Sequence, residues 1–388
     1  MSESFYSSDV IIIGASLAGC AAAIELARSG RSVLLLDKAT FPRRKPCGEG
    51  LSSRGRAELL RLGIGEREVR EIGLELRGYR VDRNGSTIEL VDSSGLVGIA
   101  RENLDDLVLR RAISYQSVCF RGGISVRAVH LEKGCFRVES NGGELSSRFV
   151  ILADGSNSKS ARSLGLAVPE LNRPRYGTSS AWRVTGGSLP SFVTVAFVDG
   201  GELYVTPLLN GRCNVSVLGT KQLVQRASRS DETRAMLKRV SSMADLEFDI
   251  IGDPLGAGPV NIGYRASEID GALLVGDACE TLDPCGGFGM THALISGRIA
   301  AECLHRALSA QAGSEELSRY AHEREQAVRD IRGFTRLTSY MIGSELGRLT
   351  LPLVAKLGMA GMISNAAHSP TERRLMGSVI RTAGVRSS

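Results

Sequence analysis

The apolar residues of this chain fall into short solid runs and longer helical stripes, and their order predicts the architecture. Val10 to Ile13 are consecutive β-branched residues without alternation, as in a strand buried on both faces. Gly14-Ala15-Ser16-Leu17-Ala18-Gly19 then turns the chain into an alanine-rich helix that Gly30 stops, and Ser32 to Leu36 form a second apolar strand ending at Asp37. Ser52 to Leu62 read as a helix burying Leu59, Leu60 and Leu62. Residues 72–99 alternate weakly around an Asn84-Gly85 hairpin turn, which predicts short strands of a different sheet. Helical spacing returns from Arg101 to Leu107. Strand-like runs follow at Ile124 to Leu131, Cys135 to Glu139 and Arg148 to Leu152, the last leading into Asp154-Gly155 and a helix start among small capping residues.

From Tyr176 to about Leu218 the pattern is β-rich, with turns at Gly200-Gly201 and Asn210-Gly211; this predicts an antiparallel sheet inserted into the first domain. Two helices are expected between Gln222 and Met243. Gly271 to Ala278 is a buried strand ending in Gly276-Asp277. A glycine-dense loop, Asp283-Pro284-Cys285-Gly286-Gly287-Phe288-Gly289-Met290, leads into a long helix from about Met290 to Leu308, and Gln311 to Ser388 read as further helices. The fold class is therefore α/β: a discontinuous Rossmann-like domain (1–75, 100–170 and 262–312), an inserted β-sheet domain (76–99 and 171–261) and a C-terminal helical region (313–388).

Composition narrows the function classes. A chain of 388 residues exceeds one typical core, and 43% hydrophobic with 23% charged residues is ordinary for a globular protein. A net charge of +6 with 5% aromatics carries no nucleic-acid signature. Eight cysteines without C-x-x-C pairs or metal-ligand spacing predict reduced thiols, no metal and a cytoplasmic protein. The start lacks a secretion signal, and the apolar runs near the C-terminus are broken by Glu345, Arg348 and Lys356, so no transmembrane helix is expected. Arg373, Arg374, Arg381 and Arg386 make the end basic: a solvated face, or a peripheral contact with anionic lipid.

The candidate chemistry gathers at strand ends. The unit from Asp9 to Lys38 is a dinucleotide cradle: Gly14 permits the sharp turn, the helix start at Leu17 and Ala18 aims N–H groups at a pyrophosphate, Gly19 permits close helix–strand packing, and Asp37 is placed for a ribose. Ser16 stands where a middle glycine is usual. Arg43, Arg44 and Lys45 read either as a solvated loop or as a phosphate clamp, ahead of Pro46-Cys47-Gly48-Glu49-Gly50, where backbone can approach a flat ring. Arg101 opens a helix, which is unfavourable for a cation unless it meets an anion. Asp277 ends a strand where sugar hydroxyls are read, and the glycine loop offers N–H groups beside a ring that becomes anionic on reduction.

Taken in order, the cradle with Asp37, Arg101-x-x-x-Asp105, Asp154-Gly155, Gly276-Asp277 and D-P-x-x-G-x-G resemble the FAD-dependent oxidoreductases of the p-hydroxybenzoate hydroxylase plan. Pro46 to Gly50 and the run Leu282 to Ala301 are most similar to the geranylgeranyl reductase-like branch. The resemblance implies FAD held by Gly14, Ser16, Leu17, Ala18, Gly19, Asp37, Lys38, Arg44, Cys47, Gly48, Arg101, Asp154, Gly155, Gly276, Asp277, Pro284, Gly286, Gly287, Phe288, Gly289 and Met290. It implies NAD(P)H as a transient electron donor and a hydrophobic small-molecule substrate under the inserted sheet. The chain departs from the branch at Glu202-Leu203-Tyr204-Val205-Thr206-Pro207, where prenyl reductases tend to carry Y-x-W-x-F-P. The single tryptophan, Trp182, argues against the halogenases, and Ala278-Cys279-Glu280 lacks the histidine of related hydroxylases.

These residues lead first to a monooxygenase acting on an aromatic or polyketide-like molecule with molecular oxygen, through a flavin C4a-hydroperoxide. The alternative is a reductase of C=C bonds in an isoprenoid or quinone, and a non-catalytic flavoprotein is a minor reading. Cys47, Glu49 and Tyr204 are the candidate proton-handling side chains.

Overall fold

A computed structural model describes residues 8–83, 86–166, 174–260, 262–309 and 313–343. The first strand, β1 (Val10–Ile13), is followed by α1 (Leu17–Arg28) and β2 (Val33–Leu36). A loop leads to β3 (Gly50–Leu51), α2 (Ser53–Arg61) and α3 (Glu66–Ile72). The long hairpin β4 (Gly73–Arg83) and β5 (Ser86–Ile99) precedes α4 (Arg101–Ile113), β6 (Val118–Arg121), β7 (Val126–Glu132), β8 (Cys135–Ser140), β9 (Gly143–Ser147), β10 (Phe149–Leu152) and α5 (Lys159–Ser163). Next come β11 (Arg175–Gly186), β12 (Val193–Val198), β13 (Gly201–Pro207), β14 (Arg212–Gly219), α6 (Lys221–Ala227), α7 (Ser230–Lys238) and β15 (Glu247–Val260). The short strands β16 (Gly263–Tyr264), β17 (Glu268–Ile269), β18 (Ala272–Leu274) and β19 (Glu280–Thr281) lead to α8 (Gly289–Ser309) and α9 (Gly313–Gly343).

The solid apolar runs form the centre of a six-stranded sheet, β17-β18-β10-β1-β2-β6, parallel except for β17. Period-two alternation sends its side chains to opposite layers. Val10, Ile12, Val33, Leu35 and Ile151 face a core shared with α1, α4, α8 and α9, while Ile11, Ile13, Leu34, Leu36 and Val150 pack on the three-stranded sheet β7-β8-β9. Burial on both faces is why these strands carry no polar positions.

The second sheet has eight strands in the order β15-β11-β14-β13-β12-β4-β5-β3, antiparallel apart from the parallel pair β4–β12. Its outer face, with Trp182, Leu203, Val205, Val215 and Val217, is covered by Leu223 and Ala227 of α6 and Met236 and Leu237 of α7. Its inner face carries Glu202, Tyr204, Thr206, Asn214 and Ser216 toward the first domain.

Several sequence expectations need correction. The strands at 72–99 are long, of 11 and 14 residues, and begin at Gly73, ahead of the expected boundary at 76. Arg83 pairs with Ser86 across the hairpin, whose Asn84-Gly85 turn lies outside the described residues. Leu60 is 56% exposed, because Leu59 and Leu62 take the inward face of α2 and Leu60 lies about 100° around the helix from Leu59. The pattern did not predict β6, β9 or β15; the last carries two prolines and three glycines and survives as a sheet edge. The four arginines of the basic end and residues 344–388 lie outside the described residues.

Candidate functional site

Because β1, β2, β10 and β18 run parallel, their carboxyl ends share one edge, and Gly14, Asp37, Asp154 and Asp277 all follow those ends. Gly14 adopts φ +107° and donates its N–H to the Leu36 carbonyl at 2.7 Å. A methyl group on Gly19 would lie 1.8 Å from the Gly14 carbonyl oxygen, so only glycine allows α1 to start here. The helix ladder opens with Cys20 N–H donating to Ser16 O. The N–H groups of Leu17, Ala18 and Gly19 precede it, at the positive end of the helix dipole. Asp37 braces the turn: its two oxygens accept the N–H groups of Ala15 and Ala39, each at 2.8 Å. Lys38 is exposed beside it.

The floor of the edge is cationic. Arg101 is buried, with Nε and Nη2 on Asp105 Oδ1 at 3.2 and 3.0 Å, and Nη2 also reaches Ser16 Oγ at 3.1 Å. Ser16 Oγ donates to Asp105 Oδ2 at 3.1 Å, and Arg43 Nη1 stands 3.2 Å from the same oxygen. Burial works against the charge on Arg101, but Asp105 more than restores it. Lys45 lies among Arg101, Asp277 and Asp105, and burial together with Arg101 pushes its ammonium pKa down. Arg43, Lys45 and Arg101 thus gather around the carboxylates of Asp105 and Asp277 beside the N–H groups of α1. Together with the positive end of the α1 dipole these side chains suit an anion at the edge. Of the expected clamp, Arg43 and Lys45 turn to the edge, whereas exposed Arg44 donates to the Asp253 carbonyl of β15 at 3.0 Å. Asp154 acts as a local cap, accepting from Ser158 Oγ at 2.5 Å and Ser160 N at 3.2 Å, and Gly155 has φ +86°. Gly276 N–H donates to Ser296 Oγ of α8 at 2.8 Å.

The inserted sheet fixes the Cys47–Glu49 segment. Cys47 N–H donates to Ser179 Oγ at 3.3 Å, the Cys47 carbonyl accepts from Asn214 Nδ2 at 2.9 Å and Ser216 Oγ at 3.1 Å, and the exposed Gly48 carbonyl accepts from Thr206 Oγ1 at 2.7 Å. Glu49 sits at φ +60°, with Oε1 accepting the Arg101 N–H at 2.9 Å. Burial pushes the Glu49 carboxyl up to about 7, against the pull of Arg101. Tyr204 has a buried hydroxyl without a hydrogen-bond partner among the described residues, and burial with nearby Glu202 raises its pKa well above the usual tyrosine value.

The glycine loop closes the site. Asp283 Oδ1 accepts the Cys285 N–H at 3.1 Å, Pro284 to Gly286 make one tight turn, and Gly287 follows at φ +71°. Phe288 and Met290 are buried, and Gly289 starts α8. Beyond this loop a cavity of about 760 Å³ opens between the Gly201–Glu202 end of β13, Leu282 and Asp283, and α9, with exposed Tyr264 and Tyr340 among its lining residues. Sequence reasoning assigned no role to Arg175, Glu280 or Ser339 around it. Only the Asp-Pro step at Asp283-Pro284, a local capping signal, was there to be read.

The profile of the FAD binding domain matches residues 7–335. The chain belongs to the FAD-binding domain family. It is 32% identical over 329 residues to the menaquinone reductase of Mycobacterium tuberculosis, covering 77% of this chain and 76% of that protein. It is 32% identical over 338 residues to digeranylgeranylglycerophospholipid reductase 1 of Methanopyrus kandleri, covering 83% and 87%. Among solved structures, the p-nitrophenol 4-monooxygenase of Pseudomonas putida superposes with a TM-score of 0.74 at 14% identity, over 92% of this chain and 96% of that one. The protein is thus an FAD-dependent oxidoreductase of the p-hydroxybenzoate hydroxylase-like superfamily, in its geranylgeranyl reductase-like branch. The cationic edge, the free N–H groups of α1 and the glycine cradle fit FAD as cofactor. Among the described residues, no helix is long and apolar enough to cross a membrane.

Proposed function

We propose that this enzyme reduces a carbon–carbon double bond in an isoprenoid or prenylated quinone. The observation that carries this reading is the 32% identity, over more than three quarters of the chain, to two proteins that are both reductases, one of menaquinone and one of a digeranylgeranyl lipid. The likeness to the monooxygenase, at 14% identity, speaks to the fold. In this reading Gly14, Ser16, Leu17, Ala18 and Gly19 with Lys45 and Arg101 would hold the pyrophosphate of FAD, Asp37 and Asp277 would hold its ribose and ribityl hydroxyls, and Pro284 to Met290 would hold its ring. FAD bound there would supply the hydride chemistry, and NAD(P)H, docking transiently, would restore it.

The chain's own task is to place the alkene, exclude water and supply one proton. Tyr204 Oη–H is suited to that: burial keeps it protonated, and among the described residues none accepts its hydrogen. The tyrosinate left after transfer would have to regain its proton from solvent; Glu202 and Asp283, which help raise its pKa, line the neighbouring cavity. Cys47 is the second donor candidate, beside the Arg101 guanidinium. Glu49 favours a different reading, since a carboxyl titrating near 7 suits a base that activates a substrate hydroxyl for oxygen transfer.

The deciding experiment is anaerobic. Enzyme reduced with one equivalent of dithionite is mixed with a polyprenyl quinone, and the expected outcome is substrate-dependent reoxidation of the flavin with a product that keeps one added pair of hydrogens on its prenyl chain after the quinone ring has been reoxidised in air. No reoxidation under argon, together with substrate-dependent oxygen uptake in air, would instead establish the monooxygenase.

A further inference from the structure

Helix α9 presents one stripe to the segment that runs from β18 through the glycine loop. Tyr320 is fully buried and donates to the Leu274 carbonyl at 2.7 Å. One turn on, Arg324 donates to Glu280 Oε2 at 2.6 Å, and Arg332 reaches the same carboxylate at 2.7 and 2.9 Å. Burial alone would raise the Glu280 pKa; His292, Arg332 and Arg324 hold it well below the usual carboxylate range. Phe334 meets Phe288 edge to face, with ring centroids 5.6 Å apart. Thr335 lies so close to Gly286 that a methyl group there would stand 2.4 Å from Thr335 Oγ1. That hydroxyl is buried and has no hydrogen-bond partner among the described residues. Ser339 Oγ donates to Asp283 Oδ2 at 2.6 Å. At about 100° per residue Tyr320, Arg324, Thr335 and Ser339 fall within about 100° of arc, with Arg332 and Phe334 on its two flanks.

Asp283 is where the parts of the molecule meet. Arg175 of β11 holds its two oxygens at 3.2 and 3.1 Å and also pairs with Glu202 of β13. Ser339 holds it from α9, and its own Oδ1 caps Cys285 N–H at the start of the loop. One side chain thereby ties the inserted sheet, the C-terminal helix and the glycine loop together.

We propose that α9 is a positioning element for the Pro284–Met290 loop. It acts through the Asp283 junction and the Thr335–Gly286 and Phe334–Phe288 contacts, so that residues 313–343 set how tightly FAD is held and at what potential it is reduced. This rests on FAD as the cofactor and is independent of which substrate is reduced. Asp283, Thr335 and Ser339 are positioning residues: they act through the loop.

The test uses the full chain loaded with FAD and needs no substrate. Asp283→Asn removes the charge that Arg175 and Ser339 share, Ser339→Ala removes only the helix's bond to it, and Glu315→Gln, an exposed change elsewhere on α9, is the control. FAD affinity is read by fluorescence quenching, and the midpoint potential by equilibration with a redox dye. Asp283→Asn is expected to weaken FAD at least tenfold and to shift the potential, with Ser339→Ala moving both readouts in the same direction by a smaller amount. A tenfold change in relative affinity for the oxidised and reduced cofactor corresponds to about 30 mV for a two-electron couple. Near-ultraviolet circular dichroism checks that each variant is folded. If Asp283→Asn does not fold, Ser339→Ala decides by the same readouts. Folded variants with affinity and potential indistinguishable from Glu315→Gln would overturn the proposal.

Discussion

Glu49 gives the sharpest handle on the site, because its carboxyl is forced into an unfavourable ionisation. It sits between the Cys47–Gly48 segment and the start of α4, and burial lifts its pKa from 4.5 to about 7. The unfolded chain titrates this group near its ordinary value. Between those two pH values the folded protein binds the extra proton, so stability falls as pH rises through the window. At about 1.4 kcal/mol per pH unit, the full cost above pH 7 is about 3 kcal/mol, and solvent on its exposed side reduces that to about 1–2 kcal/mol. Glu49→Gln removes the ionisation while keeping an oxygen to accept the Arg101 N–H, and it keeps the same φ of +60°, so backbone strain cancels in the comparison. Urea unfolding at saturating FAD should therefore show the variant more stable than the parent at pH 8 by about 1–2 kcal/mol, with the difference vanishing toward pH 4.5. Parallel stability curves for the two proteins from pH 4.5 to 8 would refute the argument that burial dominates this carboxyl.

Other substitutions probe the remaining links. Gly19→Ala places a methyl group 1.8 Å from a backbone oxygen and should cost about 3 kcal/mol and abolish flavin co-purification, measured by urea midpoint and visible absorbance. Arg101→Ala leaves the fully buried Asp105 carboxylate with Arg43 and the Ser16 hydroxyl and should cost about 3–5 kcal/mol together with FAD affinity, while Arg101→Lys recovers only part, since the two-pronged contact is lost. Tyr204→Phe removes a buried hydroxyl that has no partner among the described residues. Thermal stability should therefore hold or rise by about 1 kcal/mol, while steady-state turnover drops about 100-fold if the phenol is the proton donor.

What the sequence determined by itself is whatever a local period or a short turn encodes. Four unbroken β-branched residues before Gly14, the alanine-rich helix and the acid at Asp37 specify strand, turn, helix and strand because every contact involved lies within about thirty residues. Three such units, each ending in Asp at the same end of its strand, imply a shared edge once parallel pairing is assumed, and the sheet order provides it. Local periodicity did not carry partner choice. Whether Arg44 or Lys45 would face the cradle depends on β15, some two hundred residues away, offering the Asp253 carbonyl. Asp283 became a junction only when β11 and α9 arrived from opposite sides. Leu60 failed as a core residue because the face of α2 is chosen by its neighbours and not by its own hydrophobicity. Ion pairs and helix faces are decided by which surfaces meet, and that meeting is a property of the packed chain, since a charged or apolar side chain has the same local signature whichever partner it finds.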